Sequence, residues 1–160
     1  MKVLLTWLGG TDLRCAAGTA PGLGPLASGV TEYGFDKIVI LNNYPPKEST
    51  HYVPWLKTHT DATIQLKKAK DLPNPVDYGQ IYINAIAAID DIKDQHSSDD
   101  YDLTLHLSPG TPQMQAIWIL IAKTHAPKAT LIQSSTEQGV SKVEVPFDIT
   151  ADFIGEFFRE

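Results

Sequence analysis

Tyr101-Asp-Leu-Thr-Leu-His-Leu-Ser-Pro-Gly-Thr-Pro-Gln-Met-Gln115 decides the fold. Leu103, Leu105 and Leu107 alternate with Thr104, His106 and Ser108, a period of two that predicts a strand, and Pro109-Gly110 ends it. Beyond Gly110 the period lengthens. Met114, Ile117, Trp118 and Ile121 recur at helical spacing, so a helix starts near Thr111 or Pro112. Thr111 can cap that helix, and Pro112 suits its first position, where no backbone donor is required. A strand that turns directly into a helix gathers free N–H groups and the positive end of the helix dipole at one place. Phosphate or another electron-rich ligand suits such a place. An ordinary strand-to-helix turn carries the same signature.

Outward from this unit, strands and helices alternate. Lys2 to Trp7 reads as a buried first strand, with Gly9-Gly10-Thr11-Asp12 as the loop that leaves it. Leu13 to Leu23 is rich in Gly, Ala and Pro and reads as loop. Gly22-Leu-Gly-Pro-Leu-Ala27 superficially matches a dinucleotide fingerprint, but it lies too far from the first strand and contains Pro25. A short helix follows from Pro25 to about Tyr33. The apolar run of the second strand, Asp36 to Leu41, fits burial on both faces. The pattern then predicts a helix from Ser49 to His59, a strand from Thr63 to Leu66 and a basic cluster of Lys67, Lys68 and Lys70. Asp77 caps the longest helix, which runs to about Gln95 with Ile81, Ala85, Ile89 and Ile92 on one face. After the central unit come a strand at Ala129–Gln133, an alternating edge strand at Ser141–Phe147 and a helical segment at Thr150–Phe158.

This order predicts an α/β, Rossmann-like, mostly parallel sheet of about six strands with helices on both faces and an antiparallel edge strand near the C-terminus. The 160 residues fit a single domain with a real core. A net charge of −6 argues against binding long nucleic acid, because such binding scales with the phosphates neutralised. Cys15 is the only cysteine, so no internal disulfide forms, no zinc site is expected, and a reducing cytoplasm fits. The apolar runs are too short for a signal peptide or a membrane span.

In a parallel sheet of this kind ligands bind beyond the carboxyl ends of the strands. The expected ligand-binding residues there are Gly9, Gly10, Thr11 and Asp12; Asn42 and Asn43; Ser108, Pro109, Gly110, Thr111, Gln113 and Met114; and Ser134 and Ser135. Trp7, Tyr44 and Met114 are candidates to flank a flat base. No Ser-His-Asp signature, P-loop or metal-ligand spacing occurs, so no catalytic residue, metal or cofactor is assigned. A competing reading makes the chain a small enzyme acting on a nucleotide, with Asp12 and His106 as acid and base, although neither has an orienting partner.

His106-Leu-Ser-Pro-Gly-Thr111 with Gln113-Met114, the Leu131-Ile-Gln-Ser-Ser135 stretch and the opening Trp7-Leu-Gly-Gly-Thr-Asp12 loop resemble the CRISPR-associated Rossmann fold (CARF) domains. The likeness is greatest to N-terminal sensors of RNA-repair-type enhancer-dependent transcription regulators and to CARF chains fused to effector enzymes. The resemblance implies a homodimer binding a cyclic oligoadenylate across its two-fold axis and signalling to a C-terminal effector, from which this chain looks excised. Gly110, Thr111, Gln113 and Met114 would match the ligand-lining motif, and Thr11 and Asp12 the first loop. Some members also cleave the ring through the ligand's own 2′-hydroxyl; the motif loop here carries no lysine or arginine. The apolar residues of Ala116–Ala122 and Phe157-Phe158 are expected to exceed what a monomer buries.

Overall fold

Five parallel strands and one antiparallel edge strand lie side by side in the order β3-β2-β1-β4-β5-β6. This is a computed structural model, and it describes residues 1–70, 72–96, 100–135 and 138–146. The chain runs β1 (Lys2–Trp7), α1 (Gly10–Ala17), α2 (Gly24–Tyr33), β2 (Lys37–Asn42), α3 (Pro46–Ser49), α4 (Tyr52–Leu56), β3 (Thr63–Lys68), α5 (Tyr78–Gln95), β4 (Asp102–His106), α6 (Pro112–Lys123), β5 (Thr130–Ser135) and β6 (Gly139–Val143). From β1 the chain winds outward to β2 and β3, then returns to β4 on the other side of β1. The strand order therefore reverses between β1 and β4, where Leu4 pairs with Thr104 and Leu5 with Leu105. A crevice at that reversal is what the topology provides for a ligand.

Alternation along β1 sorts the core into two layers. Val3, Leu5 and Trp7 pack with Ile81 and Ile89 of α5 and Trp118 of α6; Leu4 and Leu8 pack with Leu26 of α2, Tyr52 and Leu56. α5 forms where expected, with Asp77 accepting from Gln80 N at 3.2 Å and Ile81, Ala85, Ile89 and Ile92 buried. α6 directs Met114, Ile117, Trp118, Ile121 and Ala122 into the body of the monomer and leaves Leu120 exposed. Its apolar content is thus mostly satisfied within one chain, which weakens the expectation that it signals a dimer.

Four segments differ from the sequence reading. Gly10–Ala17 is a helix rather than loop, because the Asp12 carboxylate accepts Gly9 N at its start and Gly18, at φ 79°, closes its end. The single helix expected over 49–59 is split into α3 and α4. The Ser49 hydroxyl donates back to Pro45 O instead of capping a new helix. β3 continues to Lys68, so Lys67 and Lys68 lie within the strand, and Lys67 pairs with Asp91. β6 is antiparallel to β5, as expected, but begins at Gly139. The expected helical segment Thr150–Phe158 and Thr136 lie outside the described residues.

α2 lies close against β4 and β5 because of Gly29. A Cβ there would sit 2.8 Å from His106 Cε1 and 3.3 Å from Ile132 Cδ1. In a free helix Gly→Ala adds about 1 kcal/mol of stability. Here Gly29→Ala should instead destabilise, by about 1–3 kcal/mol of overpacking. Combined with His106→Ala the same change should become neutral or favourable, and urea melts of the four proteins in that cycle would show it.

Candidate ligand crevice at the carboxyl ends of the strands

β1 and β4 end against one another. A Cβ on Gly9 would stand 2.7 Å from Gly110 N, so the two loops meet backbone to backbone. Gly110 has φ +96°, and a Cβ on it would meet Met114 Sδ at 2.5 Å and Trp7 Cβ at 3.3 Å. The glycine is therefore required first by the protein's own packing, a stronger constraint than the ligand approach expected from sequence.

Thr111 is the N-cap of α6, as the sequence indicates. Its hydroxyl accepts Met114 N at 3.3 Å and donates to Pro75 O at 2.8 Å, tying the loop before α5 to the motif loop. Thr111 N is directed at Met114 Sδ, 3.4 Å away, and Pro112 has no N–H. The start of α6 consequently offers fewer open donors than its sequence implies. Gln113 is half-buried, and its Oε1 has no hydrogen-bond partner among the described residues. Met114 and Trp7 are core residues at 1% and 0% exposure, so neither is a base-stacking surface. Tyr44 is half-buried and keeps that role open.

Asp12 does not face the crevice. It is fully buried, with Oδ2 accepting Gly9 N and Oδ1 accepting Leu26 N, each at 2.9 Å. Burial pushes its carboxyl up to about 6, and the two backbone donors act in the opposite direction. It fastens the first loop to the start of α2. Asn42 is also buried: Oδ1 accepts Tyr44 N and Nδ2 donates to Ser49 Oγ, both at 2.9 Å, which shapes the turn after β2. Asn43 is half-buried beside it. Pro109 is buried, whereas Thr11 is exposed. Ser108 Oγ accepts Ser134 N at 2.7 Å, and Ser135 Oγ accepts Gln138 N at 2.9 Å.

His106 belongs to the same cross-link. Ser134 Oγ donates to Pro25 O at 3.1 Å and therefore accepts from His106 Nε2, 2.8 Å away. That assigns the Nε2–H tautomer and leaves Nδ1 facing Gly29 with no partner among the described residues. Burial lowers the imidazole to about 3, so the ring is neutral at ordinary pH. Asp12 and His106 are both 0% exposed, which removes the acid–base pair of the enzymatic reading. Among the described residues no three His, Cys, Asp or Glu side chains could hold a metal, and no helix is long and apolar enough to cross a membrane.

Sequence reasoning missed Arg14. Its side chain reaches back one turn, and Nη2 donates to Thr11 Oγ1 at 3.0 Å. The signal was present, since Arg14 follows Thr11 at helical spacing, but only once Gly10–Ala17 is known to be helical. Two cavities of about 420 and 230 Å³ open at the amino ends of the strands, around Phe35, Asp36 and Ala62 and around Asp102, Thr104 and Lys142. None of the strand-end polar residues lines them, and the switch-point topology points instead to the carboxyl ends of β1 and β4 as the ligand site.

No protein-family model and no curated protein matches the chain. The fold is similar to that of Enterococcus italicus Csm6 bound to cyclic hexa-2′-fluoro-hexa-dAMP, with TM-score 0.76 and 18% identity over 91% of this chain. It is also similar to Can2 from Sulfobacillus thermosulfidooxidans in complex with cyclic tetra-adenylate, with TM-score 0.61 and 15% identity over 88% of this chain. The chain spans 41% and 34% of those two proteins. At these identities the likeness establishes the fold, which is the Rossmann-like one expected from the resemblance to CARF domains.

Proposed function

We propose that this chain is a CARF sensor domain that binds a cyclic oligoadenylate in the crevice between the carboxyl ends of β1 and β4. The observation that carries the reading is the backbone contact of Gly9 with Gly110 at the strand-order reversal, in a fold shared with two proteins solved with cyclic adenylate ligands. Backbone donors and hydroxyls at the crevice let a domain of charge −6 take an anion without a basic surface. The Oε1 of Gln113 has no donor among the described residues, and the exocyclic amine of adenine supplies one. A ring with two-fold symmetry calls for two equivalent half-sites, hence a homodimer. Tyr78, Tyr82 and Ile83 on α5 are exposed large apolar residues available to the second copy. Binding is passed to a C-terminal effector in a cytoplasmic protein. The hydrogen bond from Thr111 to Pro75 O links the motif loop to the segment leading into α5.

Calorimetric titration with cyclic tri-, tetra- and hexa-adenylate, and with linear controls, tests the reading. One ring size should bind at one ring per two chains, and Gln113→Leu should weaken it about tenfold or more without lowering the melting temperature. Flat titrations for every ring would overturn the proposal.

A further inference from the structure

The Arg14 guanidinium reaches the start of α1, where no carboxylate among the described residues forms an ion pair with it. Arg14 is exposed, and the ion pairs among the described residues are Lys67–Asp91 and His125–Asp90. Its one hydrogen bond is to the Thr11 hydroxyl. Arg14 belongs to the last turn of α1, and its side chain runs back toward the first turn, where it meets Thr11. Gly9, the N-cap, has no side chain to accept from the first N–H groups of α1, and the Asp12 carboxylate in that turn accepts Gly9 N. Tyr44, after β2, closes the other side. The position a Cβ would take on Gly10 lies 3.2 Å from Arg14 Nη1 and 3.2 Å from Tyr44 Oη. The guanidinium and the phenol thus both reach the space beside the Gly10 backbone. The nearby carboxylates that act on Tyr44 are Asp12 and Glu48. Asp12 is buried and occupied by two backbone donors, and Glu48, on α3, makes no ion pair with Arg14.

We infer that Arg14, with Tyr44 across Gly10, forms a second contact point in the crevice, which grips a phosphodiester of the bound adenylate. Of the five N–H donors of a guanidinium one goes to Thr11, leaving a fork that matches two non-bridging phosphate oxygens. The Tyr44 hydroxyl and the open N–H groups of α1 add neutral donors to the same anion. This rests on the proposed binding of a cyclic oligoadenylate and adds to it a charged contact on the β1 and β2 side, away from the α6 loop.

The test is the affinity of the wild-type chain, Arg14→Ala, Arg14→Lys and Tyr44→Phe for cyclic tetra- and hexa-adenylate over a series of salt concentrations. Arg14→Ala should weaken binding about 10- to 100-fold. It should also reduce the slope of log Kd against log salt by about 0.7, the value for one phosphate contact on a single strand. Arg14→Lys should keep the wild-type slope while losing part of the affinity, because a point charge replaces a fork. Tyr44→Phe should lose affinity without changing the slope. The melting temperature of Arg14→Ala should stay at the wild-type value, as expected of an exposed side chain. Ring binding by Arg14→Ala with wild-type Kd and salt slope would overturn this inference and leave the sensor reading standing. A wild-type chain that binds neither ring would overturn both.

Discussion

Asp12→Ala should melt far below the wild-type chain. The substitution leaves Gly9 N and Leu26 N buried without an acceptor. At about 1–3 kcal/mol for each stranded donor, the loss is about 2–6 kcal/mol, comparable with the whole stability of many domains. The size of the effect should also depend on pH. The Asp12 carboxyl lies at about 6 in the folded chain against an ordinary 3.8, so the folded state binds the proton more tightly than the unfolded state does. Its contribution is therefore fully present below about pH 4 and is lost as pH rises through 6, by about 3 kcal/mol. The stability gap between wild type and Asp12→Ala should narrow over that interval. His106 works in the opposite sense. Its value of about 3 lies below the ordinary 6.5, so the stability it contributes is present above 6.5 and lost as pH falls toward 3. It is common to both proteins and cancels in the difference. Denaturant melts at pH 4, 5, 6 and 7 decide the matter, and a gap that does not change with pH would mean that burial leaves Asp12 unperturbed.

Gly110→Val should lose about 2–5 kcal/mol of stability. The left-handed backbone costs a side chain about 1–2 kcal/mol, and forcing a Cβ against Met114 Sδ and Trp7 Cβ adds about 1–3 kcal/mol of overpacking. Weaker ring binding by that variant would not by itself implicate the loop in recognition, because the fold is damaged first. Gly9→Ala is the cleaner companion. Gly9 sits at φ −100°, which any residue tolerates, and the added methyl meets the Gly110 backbone at 2.7 Å and Asp12 Oδ2 at 3.1 Å. It should push the β1 and β4 loops apart, and so reduce ring affinity more than about tenfold at a smaller cost in stability. If Gly9→Ala binds as the wild type does, the contact between the loops is not part of the ligand site.

Much of this molecule is legible along the chain. Alternation in Leu103–Leu107, the change to helical spacing at Met114, the apolar run Ile38–Leu41 and the Asp77 cap are local signals, and each produced the element expected of it. Strand–helix alternation then leaves a mostly parallel sheet with its ligand end at the carboxyl termini, because crossovers have one hand and edge hairpins one direction. The roles of individual polar residues were not legible. Asp12 and Asn42 look like site residues in sequence, and His106 like one only if the chain were an enzyme, yet each is buried and bonded to partners up to 28 residues away. Whether a polar side chain faces a ligand or satisfies the backbone depends on what packs over it, and α2 covers both Asp12 and His106. Arg14 and Tyr44 show the converse. Thirty residues separate them in the chain, and the parallel pairing of β1 with β2 brings both side chains beside one glycine. Periodicity records which face of an element is buried. The company each side chain keeps is set by the order of the strands, which brings distant loops together at one edge of the sheet.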